Sequence, residues 1–172
     1  MATSEKNLSA FDTSTLPKAS NMKVGIVVSK WNENITSNLL KGAHETLLEC
    51  GVAESNIRIV HVPGSFELPM AAGLMLAEKH VEGVIMLGSV IRGETSHFDF
   101  VCQATAQGAK DVALQYLKPV IFGVLTDDNL QQAEDRSGGK HGNKGVEAAV
   151  ACVEMIQTSK DLRNTWGLGF EF

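Results

Sequence analysis

The chain has 172 residues, 44% of them hydrophobic, and a formal net charge of −5. That length suits one domain with a sizeable core, and the acidic balance argues against a nucleic-acid partner, whose phosphates need a basic face. The longest apolar runs are strand-sized, which excludes a membrane span built from them.

Residues 1–21 are polar, rich in Ser and Thr, and carry no apolar signal core, so a flexible arm and a cytoplasmic location are expected. Cys50, Cys102 and Cys152 are far apart and odd in number; they read as reduced, buried thiols. The five histidines show no metal-ligand spacing with them.

The first strand is expected over 23–29, KVGIVVS, a nearly continuous β-branched run of the kind covered on both faces. A turn at 30–34 leads into a helix with Ile35, Leu39, Ala43 and Leu47 four apart, and Gly51 suits its C-terminal cap. Residues 56–62 form a second strand whose partial alternation places it nearer an edge. Pro63-Gly64 signals a turn. Ser65 can cap the next helix, Pro69 fits its first turn, and that helix is expected to reach about Lys79. Residues 83–87 read as a third, buried strand. The loop 88–99, GSVIRGETSHFD, joins it to a helix over 97–116, where Phe98, Val101, Cys102, Ala109, Val112 and Tyr116 recur with helical period.

A fourth buried strand comes next at 120–125, then a short polar helix over 127–136 and a glycine-rich turn over 137–143. A last helix over 144–157 places Val146, Val150, Val153 and Ile156 on one face. The tail, 158–172, has no periodicity; its Trp166, Phe170 and Phe172 are anchors on a neighbouring surface or a frayed end. No repeat or interior linker divides the domain over 22–157.

Four strands alternating with helices define an α/β protein with a parallel sheet and right-handed crossovers. Ligands bind such sheets beyond the carboxyl ends of the strands, near the switch in strand order. That rule gathers Trp31, then Ser65, Phe66 and Glu67, then residues 88–97, then those just past Phe122. Gly93 permits a tight turn or a close ligand approach. Thr95 or Ser96 can cap the helix, and Ser96 with Asp99 has capping-box spacing. The amides there, with the helix dipole, suit a phosphate, and an imidazole beside it, His97, is a natural proton-transfer group.

Trp31, Phe66 and Phe122 can sandwich a flat heterocycle; equally, all three can belong to the core. Glu67 either complements the helix dipole or accepts hydrogen bonds from ring N–H donors. Arg136 and Lys144 flank the glycine-rich turn, as phosphate ligands or as solvated charges.

Four motifs, VPGSFELP at 62–69, GSVIRGETSHFD at 88–99, PVIFGVLT at 119–126 and GNKG at 142–145, together resemble the lumazine synthase family, the 6,7-dimethyl-8-ribityllumazine synthases. The match spans about 22–157 in one unbroken order. The resemblance implies a single-domain, three-layer, flavodoxin-like α/β/α fold with a four-stranded parallel sheet in the order 2-1-3-4. It implies the penultimate step of riboflavin biosynthesis, in which 5-amino-6-(D-ribitylamino)uracil condenses with 3,4-dihydroxy-2-butanone 4-phosphate to give 6,7-dimethyl-8-ribityllumazine, phosphate and water. It implies no metal and no organic cofactor.

By the same resemblance, Trp31 stacks on the pyrimidine. Ser65, Phe66 and Glu67 hold its ring and ribityl chain, and Ser89, Val90, Ile91 and Phe122 also contact it. Glu94 and Thr95 bind phosphate with Arg136, His97 is the proton donor, and Lys144 lies at the rim. Ser89 stands where Thr is common, and Glu94 where a small residue is common, so the Glu94 side chain is expected to point away from the anion. The family's site lies between subunits of a homopentamer, with His97 and Arg136 expected from one subunit and Phe122 from its neighbour.

The short 138–143 turn is similar to that of members that join twelve pentamers into a hollow icosahedral shell. The N-terminal arm is expected to add a strand to an adjacent subunit. Whether riboflavin synthase is an enclosed partner is not written in these motifs. Rival readings are a non-catalytic flavin- or pterin-binding protein and a shell protein without catalysis; His97, Arg136 and Glu67 together speak against both.

Overall fold

A computed structural model describes residues 9, 11–12, 15–78 and 80–166. Its main sheet has four parallel strands, β1 (Val24–Ser29), β2 (Ile57–Val62), β3 (Gly83–Ile91) and β4 (Val120–Asp127), in the order β2-β1-β3-β4. The helices are α1 (Glu33–Glu49), α2 (Leu68–Ala77), α3 (His97–Tyr116), α4 (Leu130–Arg136) and α5 (Lys144–Trp166). This is the flavodoxin-like arrangement expected, strand order included. No helix among the described residues is long and apolar enough to cross a membrane.

The period of two along a strand divides the core. Val24, Ile26 and Val28 of β1, with Ile85 and Leu87 of β3, meet Leu39, Ala43 and Leu47 of α1 and Ala149, Val153 and Ile156 of α5. The alternate residues, Val27, Val84 and Met86, face Leu68, Ala72 and Leu76 of α2 and Ala109 of α3. Every residue of β1 is buried because β1 lies between two strands and two helix layers. β2 pairs on one side only, and Arg58, Ile59 and His61 remain exposed, as its weaker pattern foretold.

α1 ends as expected at Gly51. With φ of +88°, Gly51 donates its N–H to Leu48 O at 2.9 Å, while the Val52 N–H reaches Leu47 O at 3.0 Å. These two bonds close the helix C-terminus in a Schellman motif. The cysteines are unpaired, and burial first, then Glu82, pushes the Cys152 thiol up to about 12, which leaves it unreactive.

Several local boundaries differ from the sequence expectation. β3 continues through Ile91 and β4 through Asp127, because Gly88, Ser89, Val90 and Ile91 pair with Val124, Leu125, Thr126 and Asp127. The loop is thereby shortened to residues 92–96. α4 begins only at Leu130, where the Asn129 side chain accepts the Gln132 N–H at 3.0 Å. The glycine-rich turn is a small antiparallel hairpin, β5 (Ser137–Gly139) with β6 (Gly142–Asn143).

α5 runs beyond 157 to Trp166 although its apolar stripe ends. Polar bonds replace the stripe: Thr158 Oγ1 donates to Glu154 O, Gln157 Nε2 to Asp161 Oδ1, and Arg163 to Leu117 O at 2.7 Å. Lys160 also pairs with Glu82 at 2.6 Å. The side chain of Trp166, and Phe170 and Phe172, lie outside the described residues. Residues 1–8 of the expected arm lie outside them as well; nearer the domain, Ala19 and Met22 are buried in the α1–α5 core.

Candidate active site

The carboxyl ends of β1, β2 and β3 open into a cavity of about 740 Å³. Its walls include Trp31 and Asn32 after β1, Gly64 to Glu67 after β2, Ser89, Val90 and Ile91 of β3, and Gly93, Thr95 and His97 before and at the start of α3. Nine of the residues singled out from sequence therefore share one wall system: Trp31, Ser65, Phe66, Glu67, Ser89, Val90, Ile91, Thr95 and His97.

The core reading fails for two of the aromatics. Trp31 is 71% and Phe66 62% exposed, so neither ring is packed away inside the protein. Phe122 behaves differently. It pairs with Met86 inside the sheet and packs, half-buried, on the α2–α3 side, and it is not among the cavity's walls.

The turn after β2 is a single 3-10 turn, Ser65–Glu67, before α2. Glu67 rather than Ser65 closes it: the Gly64 N–H donates to Glu67 Oε2 at 2.9 Å. Ser65 is instead fixed through its backbone, its carbonyl accepting the Thr105 hydroxyl at 3.1 Å. The Ser65 Oγ stands over Gly88, where an added Cβ would lie 2.6 Å from it, so only glycine leaves that space. Ser65 Oγ and Ser89 Oγ are both buried without a hydrogen-bond partner. Orphaned buried hydroxyls in the wall of a cavity are groups for a ligand or water to satisfy.

The loop before α3 is braced from outside. Arg92 Nε donates to Asp128 at 2.9 Å, its Nη1 to Asp99 at 3.2 Å, and its guanidinium carbon lies 4.0 Å from the centre of the Phe98 ring. The Asp128 bond, followed by Asp99, raises its already high pKa. This commitment of Asp99 explains why the expected Ser96–Asp99 capping box does not form: the Ser96 side chain caps nothing, the Asp99 N–H donates to Ser96 O, and Thr95 Oγ1 accepts the His97 N–H at 3.4 Å. Glu94 is exposed and stands outside the walls.

Arg136 and Lys144 are not brought to His97. Arg136 ends α4 and donates to Glu147 Oε1 at 3.1 Å and to the His141 carbonyl at 3.2 Å. Lys144 opens α5 and donates to Glu147 Oε2 at 2.8 Å. Arg136, expected by resemblance to act with His97 from one subunit, is thus not among the walls of the cavity that His97 lines.

Asn143 holds this second cluster in place. Its Nδ2 donates to Asn38 O at 2.8 Å and to Ser137 O at 3.3 Å, and its Oδ1 accepts the Gly145 N–H at 2.8 Å. α5, the hairpin and α1 are tied together through one carboxamide. A Cβ on Gly145 would collide with the Leu39 carbonyl, which accounts for the glycine after Lys144.

Sequence reasoning missed Asn32, Phe98 and Val101 as cavity residues. Asn32 takes φ of 57° and donates its Nδ2 to the Ser89 carbonyl at 3.0 Å, linking the β1 loop to β3. The tolerance of Asn for left-handed backbone in a turn was the available signal.

Fold and cavity together define an α/β protein of the flavodoxin-like class with its site beyond the strand ends. The profile of the 6,7-dimethyl-8-ribityllumazine synthase family matches residues 21–160, and the chain belongs to that family, transferases of riboflavin biosynthesis. Relatives bearing that name include one from Flavobacterium johnsoniae, 54% identical over 155 residues, covering 90% of this chain and 82% of the relative. One from Parabacteroides distasonis is 50% identical over 159 residues, covering 92% and 99%. One from Porphyromonas gingivalis is 49% identical over 155 residues, covering 90% and 96%.

Proposed function

We propose that this protein condenses 5-amino-6-(D-ribitylamino)uracil with 3,4-dihydroxy-2-butanone 4-phosphate, releasing 6,7-dimethyl-8-ribityllumazine, phosphate and water. The observation that carries the reading is the cavity, with two open aromatic rings, two orphaned hydroxyls and a histidine in one wall system. In it, Trp31 and Phe66 stack on the pyrimidine, and Ser65, Glu67, Ser89, Val90 and Ile91 contact its ring and ribityl chain. Gly93 to Thr95 and the start of α3 receive the phosphate through backbone amides and the Thr95 hydroxyl. Glu94 contributes its backbone and keeps its carboxylate in solvent, since a carboxylate beside phosphate repels it.

The reaction needs an amine to attack a ketone, water to leave, phosphate to be eliminated and a ring to close. Each step moves a proton, and His97 gives or takes it beside the anion. Two rings held in register supply much of the rate through proximity.

Arg136, Lys144 and Phe122 lie outside this cavity, which supports a site completed across a subunit boundary, with these three residues reaching the cavity of an adjacent copy. Arg136 then stabilises phosphate as it leaves. The exposed Met70, Leu74, Phe100 and Leu114 are apolar surface that such an assembly would cover. A homopentamer is proposed, and twelve of them as a shell in view of the short hairpin; light scattering would report the mass of five or of sixty chains. A cytoplasmic location accords with this metabolic role, and riboflavin synthase as the consumer of the product is a candidate partner.

Turnover of the two substrates, with lumazine and phosphate followed together, tests the function. Equal amounts of both are expected. His97→Ala should slow turnover by about 100-fold, the lower range for a lost acid–base group, without abolishing it. Pyrimidine binding without phosphate release would leave a passive binder.

A further inference from the structure

Between Ile91 and Phe98 the chain buries no side chain. Residues 92–97 are all exposed, and a Cβ on Gly93 would meet no atom within 4 Å. Yet Gly93, Thr95 and His97 form part of the cavity wall. Apolar packing therefore does not hold this stretch at the site, and a loop without buried contacts opens easily.

The side-chain bonds that tie it to other elements converge on Arg92. Its backbone N–H donates to Asp127 O at 2.9 Å, continuing the β3–β4 ladder. Its side chain then reaches in two directions. Nε donates to Asp128 Oδ1 at 2.9 Å, on the corner after β4, and Nη1 to Asp99 Oδ1 at 3.2 Å, in the first turn of α3. The guanidinium also lies over the Phe98 ring, 4.0 Å from its centre. The anchor at Asp128 is itself fixed, because the Asp128 N–H donates to Gln132 Oε1 at 2.9 Å beside the Asn129 cap of α4. One planar cation thus ties the end of β3, the start of α3 and the start of α4. A lysine, with a single point charge, supplies no such fork. Ile91 and Gly93, on either side of it in the chain, line the cavity and Arg92 does not, so Arg92 acts on the site through the loop.

We propose that Arg92 is a positioning residue for the phosphate end of the site: with Asp99 and Asp128 it closes the stretch 92–99 and sets the Gly93 to Thr95 amides and His97 against the cavity. The inference rests on the reading of this loop as the phosphate receiver, and it adds how an exposed receiver is kept preorganised. A loop free to open must be ordered by the anion at each binding event, which weakens the hold on phosphate and misaligns the imidazole. The pyrimidine end, built on Trp31 and on Ser65 to Glu67, stands on the turns after β1 and β2 and is independent of this brace.

Two probes separate the two ends in the full-length, assembled protein. Inorganic phosphate, competing with the phosphorylated ketone, reports the loop. The dissociation constant of 5-amino-6-(D-ribitylamino)uracil, by calorimetry, reports the pyrimidine end. In Arg92→Met the phosphate inhibition constant and KM for the ketone should each rise about tenfold and kcat fall about tenfold, while pyrimidine affinity stays within about twofold of wild type. Arg92→Lys, which keeps the charge and serves one carboxylate at a time, should fall between. Asp99→Asn combined with Asp128→Asn should reproduce the Arg92→Met loss, and adding Arg92→Met to that pair should deepen it no further.

Equal weakening of phosphate and pyrimidine in Arg92→Met, or additive losses from the guanidinium and the two carboxylates, would overturn the proposal. Tighter phosphate binding in the carboxylate pair variant would overturn it too, by making the freed Arg92 an anion ligand. Thr95→Val tests the receiver itself and should raise the phosphate inhibition constant. If Thr95→Val weakens phosphate and Arg92→Met does not, the positioning role falls and the loop remains the receiver; if neither does, both fall.

Discussion

The cavity and the basic cluster treat their polar groups in opposite ways. In the cavity, Ser65 and Ser89 hold buried hydroxyls with no partner, and Trp31 and Phe66 stand open. In the cluster, Arg136 and Lys144 already share Glu147, with Asn143 clamping the backbone beneath them. The difference comes from magnitude. An unsatisfied hydroxyl costs about 1–3 kcal/mol, which a fold can carry until a ligand arrives. Removing one member of a buried ion pair costs about 3–5 kcal/mol, so partly buried cations are kept paired. The first region leaves polar groups and rings open; the second holds its positive charge against the Glu147 carboxylate.

The comparison breaks most sharply at Arg136. Arg136→Ala should lower kcat/KM by about 100- to 1000-fold, as the loss of one preorganised group on a developing charge does. A loss below about tenfold in steady-state turnover would detach the basic cluster from the chemistry.

A smaller effect sharpens the other side. Trp31→Ala should raise KM for the pyrimidine roughly threefold to tenfold, the worth of one stacking contact, with kcat nearly unchanged. A matching fall in kcat would mean that the ring acts in the transition state as well as in binding.

The smallest expected effect is on stability. The folded Asp127 carboxyl, at about 6 against an ordinary 3.8, holds its proton more tightly than the unfolded chain does. Its stabilising contribution is therefore present below about pH 4 and is lost as pH rises through about 6. Asp127→Asn should flatten the thermal-stability profile across that window and raise Tm at pH 7.5 by about 2 °C, since the group is only partly buried. An unchanged profile in a scanning calorimeter would mean that the carboxyl is solvated and carries no such cost.

Much of the fold was legible because its signals are local. The continuous apolar run of β1, the helical period over 97–116 and the glycine after Cys50 each specify their own stretch of chain. The cavity residues were legible too, since Trp31, Ser65 to Glu67 and His97 come after strands of one parallel sheet, and ligand sites in such sheets form from the residues beyond each strand's carboxyl end. Less legible were features that depend on a partner distant in sequence. The extension of β3 to Ile91 requires β4 beside it. Asp99 looks like part of a cap until Arg92 engages it, and α5 outlasts its apolar stripe through Glu82 and Leu117.

By itself the sequence determined the alternation of strands and helices, the edge position of β2, the family motifs and the residue types delivered to the strand ends, because backbone propensity and hydrophobic period act over a few residues. Tertiary structure alone decided which of those residues meet. It half-buried Phe122 in the sheet while leaving Trp31 and Phe66 open, set Arg136 against Glu147, and buried one Asp127 carboxylate oxygen without a hydrogen-bond partner. Each of these outcomes depends on desolvation and on charges from other elements, and those are fixed only when the layers pack.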